Sequence, residues 1–485
     1  MLKSIIRGSD HAVARTEKSR PDGAVRWALA SLSISMLLSS LGTSIANVGL
    51  PTLAQAFNAS FQQVQWVVLA YLLAITTLIV SVGKLGDLLG RKRLLLAGIV
   101  LFTLASALCG LAPTLWLLVA ARGLQGLGAA VMMALTMAFV GETVPREKTG
   151  SAMGLLGTMS AIGTALGPSL GGLLIAWLGW RAIFMVNLPL GIAAFVLACR
   201  CLPPDGAGRM TATGGFDKPG TVLLAVTLTA YALAMTVHPG GGRSGFGLLN
   251  MALLLVAAAA AGVFVLVESK AASPLIRLAM FRNPALSASL ATSALVATVM
   301  MATLVVGPFY LSRALGLEAA VVGLVLAAGP FVVALTGVPA GRIADRFGAQ
   351  RMAVAGLAAM AAGCFFLFML PTALGIPGYL APLVVLTVGY ALFQTANNTA
   401  VMKDIRPEQR GVVSGMLNLS RNLGLVTGAS VMGAVFAFAA ASADIATAQP
   451  GSVASGMQAT FAVGGGLLLV ALAIAATAGA VRRSS

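Results

Sequence analysis

Fourteen near-continuous apolar runs fill most of this 485-residue chain, each of about 20 residues, the length a helix needs to cross a bilayer. In lipid every backbone N–H and C=O needs an internal partner, so a spanning segment is either a helix or part of a closed barrel. Barrel strands would alternate apolar and polar residues over roughly ten positions, and these runs do not alternate. Only 9% of the residues are charged, too few to coat a soluble surface of this size. The expected fold is an all-α membrane protein with 14 transmembrane helices.

The net charge of +17 is large, but its distribution speaks of topology rather than of nucleic acid. With the N-terminus placed in the cytoplasm, all but five of the 31 Lys and Arg fall in tails and loops on that side. Arg181, Arg243 and Arg313 fall opposite, and Arg122 and Arg421 lie within spans. This is the positive-inside bias. It predicts a multi-pass protein of the inner (plasma) membrane with both termini cytoplasmic, in contact with membrane lipids and with no nucleic-acid partner. The N-terminal tail lacks the apolar core of a cleavable signal. Cys199-Arg-Cys201 has no second ligand pair, so neither a metal nor a cofactor is expected.

Internal repeats divide the chain. Gly83-Lys-Leu-Gly-Asp87-Leu-Leu-Gly90-Arg91-Lys92-Arg93 returns 258 positions on as Gly341-Arg-Ile-Ala-Asp345-Arg-Phe-Gly348-Ala-Gln-Arg351. Gly163-x-x-x-Gly167 returns 261 positions on as Gly424-x-x-x-Gly428, and Pro145 to Gly150 is echoed by Pro407 to Gly411. Parallel halves around a central pathway are a recurrent transporter plan. The expected organisation is a basic tail 1–26, a six-helix half 27–201, a Pro/Gly-rich linker 202–219, an inserted two-helix hairpin 220–268, a cytoplasmic loop 269–283, a second six-helix half 284–481 and a tail 482–485.

Three motifs and a group of polar side chains are candidate working parts. In the two repeated loops, Gly83, Gly90, Gly341 and Gly348 permit tight turns. Asp87 and Asp345 can face helix N-termini while Arg91 anchors the surface. The expectation is a gate in which Asp87 docks near Arg410 and Gly411, and Asp345 near Lys148 and Gly150. Arg122 lies inside the fourth span with Gln125 one turn along. A guanidinium at that depth is costly, so it should meet a wet cavity or a polar partner. The fifth span carries Gly163, Gly167, Pro168, Gly171 and Gly172, small residues that let helices touch, with a proline that removes a backbone bond. Asn47, Tyr71, Gln394, Asn397, Asn398 and Arg421 are candidates to line the pathway, since polar groups in lipid point inward. The Pro239–Arg243 stretch lacks the Lys-Ser/Thr ending of a nucleotide loop. That disfavours an ATP-driven pump, and nothing in the chain points to an enzyme.

Together these motifs resemble the major facilitator superfamily. Gly83…Arg93 is similar to its motif A, Arg122-x-x-Gln125-Gly to motif B, and Gly163…Gly172 to the antiporter motif C. Trp180-Arg-x-Ile-Phe-x-x-Asn187-Leu-Pro189-Leu-Gly191 and Pro274-Leu275…Phe281-Arg-Asn283 resemble the fourteen-helix drug:proton antiporter branch. The resemblance implies two pseudo-symmetric halves around a central cavity and a rocker-switch exporter exchanging a lipophilic, often cationic, compound for protons. Arg122 and Gln125 would act in the coupling step, and a monomer would suffice.

One position departs from that branch, which commonly has Asp where this chain has Gly42. None of the fourteen acids falls at the centre of a predicted span; Asp87 and Glu142 lie near the cytoplasmic ends. The leading expectation is proton-coupled efflux of amphipathic drugs or toxic organics. The alternative is an exporter of a neutral or anionic metabolite with different or no proton coupling. A non-transporting receptor or scaffold would not need two gating loops.

Overall fold

The computed structural model describes residues 22–144, 149–205, 217–237, 247–271, 278–369, 371–403, 410–440, 445 and 448–484. Fourteen helices among them are long and apolar enough to cross a bilayer. In the first half these are α1 (Asp22–Val48), α2 (Phe61–Leu78), α3 (Arg91–Leu111), α4 (Leu115–Thr143), α5 (Thr149–Leu178) and α6 (Asn187–Cys201). The hairpin is α7 (Lys218–Thr236) and α8 (Leu248–Lys270). The second half holds α9 (Pro284–Phe309), α10 (Ala319–Phe347), α11 (Ala349–Phe368), α12 (Gly375–Lys403), α13 (Arg410–Thr427) and α14 (Pro450–Ser484). α13 continues through a π-helical turn, Gly428–Met432, into Gly433–Ala439.

Local chemistry fixes where several helices begin. Ser60 and Gln63 form a reciprocal capping box at the start of α2, satisfying donors that a helix N-terminus leaves open. Asn283 accepts the N–H groups of Ala285 and Leu286 at the start of α9. The short helix Val82–Leu89 leads to Gly90, whose φ of 93° ends it and starts α3; Gly348, at φ 92°, does the same between α10 and α11. Only glycine enters that backbone region freely, so the two repeated loops share one glycine-dependent turn. α1 begins at Asp22 rather than at 27, because a helix can continue through polar residues beyond the apolar stretch that marks a span.

The repeats reappear as matching helix crossings. A Cβ on Gly128 would lie 2.8 Å from the Gly98 carbonyl oxygen, bringing α3 and α4 to backbone contact. In the second half, a Cβ on Gly389 would lie 2.7 Å from the Gly356 oxygen, where α11 meets α12. Below, the face holding Gly90 and Gly348 is the basic face and the other is the far face. α1 is mostly enclosed, with 72% of its apolar window buried, whereas α8 has 17% buried. α8 therefore turns most of its surface to lipid.

Candidate functional site

Among the described residues Arg122 is the largest fully enclosed side chain, with 0% exposure. Its Nε donates to the Val67 carbonyl on α2 (2.9 Å), its Nη2 to the Gly42 carbonyl on α1 (3.1 Å) and its Nη1 to Gln125 Oε1 (2.6 Å). Gln125 Nε2 passes the network to Ser106 Oγ on α3 at 2.6 Å. The guanidinium lies 4.1 Å over the Tyr71 ring, a favourable placement for a cation in a dry site. Tyr71 in turn donates its hydroxyl to the Ser39 carbonyl at 2.8 Å. Four helices of the first half are thus joined through one charge. Among the described residues its partners are neutral, and two of them are backbone oxygens.

Gly42 is part of this arrangement. A Cβ there would lie 2.8 Å from Tyr71 Oη and 3.2 Å from the Phe102 ring. The space an aspartate would need is taken by Tyr71 and Phe102, and Arg122 uses the backbone carbonyl of the same residue instead.

The glycines of α5 divide their work between neighbours. A Cβ on Gly163 would lie 2.5 Å from the Leu37 carbonyl oxygen and one on Gly171 would lie 2.8 Å from Val48, while Gly167 meets Ser44; all three face α1. Ser40 and Ser160 also share a hydrogen bond across that contact at 2.7 Å. Gly172 faces the other half: its Cβ would lie 2.5 Å from the Ala319 oxygen and 3.0 Å from the Gly323 Cα on α10. Pro168 lies within the continuous helix, and its carbonyl meets Gly323.

More contacts join the halves at the far face. Gln65 donates to the Ala429 carbonyl at 3.0 Å, inside the π turn of α13. The Phe61 ring meets those of Phe309 and Phe436 edge-on, with centroids 4.8 and 5.2 Å away. Toward the basic face, Gly157 on α5, Gly337 on α10 and Gly415 on α13 have nothing within 4 Å of an added Cβ among the described residues. The two halves meet at the far face.

The remaining sequence candidates do not gather around Arg122. Asn47 is buried on α1, donating to the Thr43 carbonyl at 3.2 Å. On α12, Asn397 is buried and donates to the Ser289 carbonyl at 3.4 Å, Gln394 is half-buried and Asn398 is exposed. Arg421 is half-buried on α13. The α12 group and Arg421 belong to the second half and lie toward the basic face.

In the first gating loop, Asp87 Oδ1 accepts from Arg91 Nε (3.0 Å) and Nη2 (2.8 Å). Gly83 is open, with nothing within 4 Å among the described residues, and Gly341 has only Thr395 at 3.8 Å. The side chains of Asp345, Glu142, Lys148 and Arg410, and the surroundings of Gly150 and Gly411, lie outside the described residues. So do both expected docking contacts.

A residue outside the motifs completes that loop. Asp205, just beyond α6, accepts the backbone N–H groups of Lys92 (2.8 Å) and Arg93 (3.2 Å), capping α3. Lys92 Nζ reaches back to the Cys199 and Leu202 carbonyls at 2.7 and 2.9 Å. The sequence signal of Asp205 is faint: one acid four residues past a helix end.

A bundle of fourteen membrane-length helices in two pseudo-symmetric halves that meet at one face, the first built around a deeply buried polar network, is the architecture of a membrane transporter. The chain belongs to the Major Facilitator Superfamily, whose sequence profile matches residues 32–429. It is 32% identical over 406 residues to the uncharacterized transporter YebQ of Escherichia coli, covering 84% of this chain and 88% of that protein. It is 30% identical over 413 residues to the riboflavin transporter RibZ of Clostridioides difficile, covering 85% of this chain and 88% of the relative. It is also 32% identical over 418 residues to the multidrug resistance protein Stp of Mycobacterium tuberculosis, covering 84% and 75%. Among solved structures it shares the fold of a bacterial homolog of the human lysosomal transporter Spinster, with a TM-score of 0.67, 14% identity and coverage of 94% of this chain and 97% of that one.

Proposed function

We propose that this transporter exports small amphipathic drugs or toxic organic compounds in exchange for protons, by rocking its two halves about the far-face contact. The observation that carries the proposal is the α5 glycine run. Three of its glycines seat α1 and the fourth touches Gly323 across the half boundary, so movement of the far-face seam is transmitted to the helix whose Gly42 carbonyl binds Arg122. Arg122 and Gln125 serve the coupling step by tying α1, α2, α3 and α4 into one rigid unit. Gly83, Asp87, Gly90 and Arg91, with Gly341, Asp345 and Gly348, form the gate on the basic face, which is the cytoplasmic side of the inner membrane and carries both termini. Cytoplasmic substrate enters between the halves from the basic face, past Gln394, Asn398 and Arg421 on the second half. Similarity to a protein named for multidrug resistance supports the drug reading.

A second reading, export of a neutral or anionic metabolite, is favoured by two observations. Arg122 has no carboxylate partner among the described residues, and a relative at 30% identity is named a riboflavin transporter. Reconstituted transport under an imposed pH gradient, with a cationic, a neutral and an anionic panel, separates the two. Gradient-driven transport of cations supports drug:proton exchange. Transport indifferent to the gradient removes proton coupling, and preference for the anions selects the second reading.

A further inference from the structure

Beside the far-face seam a cavity of about 170 Å³ lies between the two halves. The first half supplies Val48, Pro51, Thr52 and Gln55, from the end of α1 and the short helix Leu50–Ala56. The second supplies Arg313, Leu317 and Val322, from the π-helical turn Tyr310–Ala314, the connection after it and the start of α10. Pro51 and Val322 are buried whereas Gln55 is exposed, so the cavity opens at the far-face surface. Backbone holds the second wall in place. The Leu315 N–H donates to the Tyr310 carbonyl at 3.2 Å and the Leu317 N–H to the Leu311 carbonyl at 3.1 Å. Gly316 turns the chain between them at a φ of 66°, and Arg313 and Leu317 come to border the same space.

The chemistry of the walls selects an occupant. Arg313 is half-buried, and among the described residues no acid pairs with it. Glu318, the acid nearest to it in sequence, is exposed. A guanidinium without a counter-ion can hold an acid group through two parallel hydrogen bonds. Thr52 and Gln55 add a hydroxyl and an amide donor from the first half. Val48, Pro51, Leu317 and Val322 offer apolar surface, and an apolar cavity of roughly 150 Å³ holds one benzene ring. The position matters as much as the chemistry. Val48 is where Gly171 packs, and Ala319, which also borders the cavity, is where Gly172 packs. Whatever fills the space touches both halves beside the contact about which they rock.

We propose that this cavity binds a small amphipathic organic acid, its acid group on Arg313 and its apolar body between the two walls, and that the occupant holds the far face closed. A ligand shifts a conformational equilibrium only by binding one state better than the other. Rocking the halves pulls these walls apart and breaks the site, so the acid favours the arrangement described here and slows turnover. It acts from the far face, away from the basic-face entry of the cargo. The proposal rests on the rocking mechanism above and not on proton exchange.

Benzenesulfonate is the probe, since it stays charged and carries no proton across a bilayer. Calorimetric titration of the full-length protein in zwitterionic nanodiscs is expected to show binding to the wild type. Arg181→Gln, which alters an exposed arginine outside the cavity, should bind equally well. Arg313→Gln should bind at least about tenfold more weakly, as should the wild type with neutral benzenesulfonamide. Absence of wild-type binding overturns the site, as does equal binding by Arg313→Gln. Where that variant misfolds, the sulfonamide comparison decides, because it removes the charge from the ligand instead. Tighter binding of a soluble short-chain phosphatidylglycerol than of benzenesulfonate assigns the cavity to a lipid headgroup and overturns the organic acid. In proteoliposomes with the probe on both sides, kcat for the best-transported compound of the panel above should fall with KM unchanged, and Arg313→Gln should escape the inhibition. Binding without inhibition overturns the lock, as does inhibition that more cargo relieves. If transport ignores a pH gradient, the exchange reading fails while the binding results still decide the site.

Discussion

Beside the α3–α4 crossing the first half buries a guanidinium that donates three hydrogen bonds, one from each nitrogen. Beside the corresponding α11–α12 crossing, the second half buries two stacked tyrosines, Tyr310 and Tyr379, with ring centroids 5.6 Å apart. Neither tyrosine hydroxyl has a hydrogen-bond partner among the described residues. In both halves a tyrosine oxygen rests against a glycine of the leading helix: Tyr71 on Gly42 and Tyr379 on Gly307. The glycine skeleton has been kept twice while the chemistry has been placed once. Backbone approach sets the scaffold, and a few side chains break its symmetry.

The largest expected difference between the halves lies at those side chains. Arg122→Ala leaves Gln125 and two carbonyls without their donor, each costing about 1–3 kcal/mol when buried, and should abolish turnover while lowering the thermal midpoint. Tyr379→Phe removes a hydroxyl with no described partner, and should stay within about 0.5 kcal/mol of the parent. Reconstituted transport and thermal unfolding in detergent measure both. Equal losses from the two variants would dissolve the asymmetry.

Next in size is the seam. Gly172→Ala forces a methyl group against the α10 backbone and should cut transport severely. On the same helix Gly157→Ala fills open space and should leave transport intact, with helix stability raised by up to about 1 kcal/mol. A transport assay of both variants in one vesicle preparation checks this.

A smaller contrast separates the two loop glycines. Both need a positive φ, so Gly90→Ala and Gly348→Ala should each cost about 1–3 kcal/mol. Gly90→Ala should cost more, since its Cβ would lie 2.5 Å from Asp205 Oδ2, whereas Gly348 has nothing within 4 Å among the described residues. Chemical or thermal unfolding of the pair gives the order. Asp205→Ala should cost less than either glycine variant, about 1 kcal/mol for a lost helix cap, read as a lower thermal midpoint with transport retained.

Much of this was legible in the sequence because its physics is local or periodic. Apolar length marked every spanning helix, and the repeat of Gly83…Arg93 at Gly341…Arg351 marked the paired turns. The α5 glycines announced close packing without saying that Gly172 alone would cross between halves, which depends on which faces meet. Arg122 was recognisable as a buried charge needing partners. That those partners would be the Gly42 and Val67 carbonyls followed from tertiary placement, as did the separation of Asn397 and Asn398 from it. Asp205 was opaque, since a capping acid reached from a distant linker leaves no pattern near the helix it caps.

The bonding of Arg122 has an electrical consequence. Arginine does not release its proton in proteins, and carbonyl dipoles stabilise a charge without cancelling it. The first half therefore carries a fixed positive charge within the membrane field. A charge crossing that whole field exchanges about 2.3 kcal/mol per 100 mV, and any tilt of this half moves Arg122 through a fraction of it. In the rocking mechanism proposed above, the resting voltage would bias which way the protein faces, even with a neutral cargo.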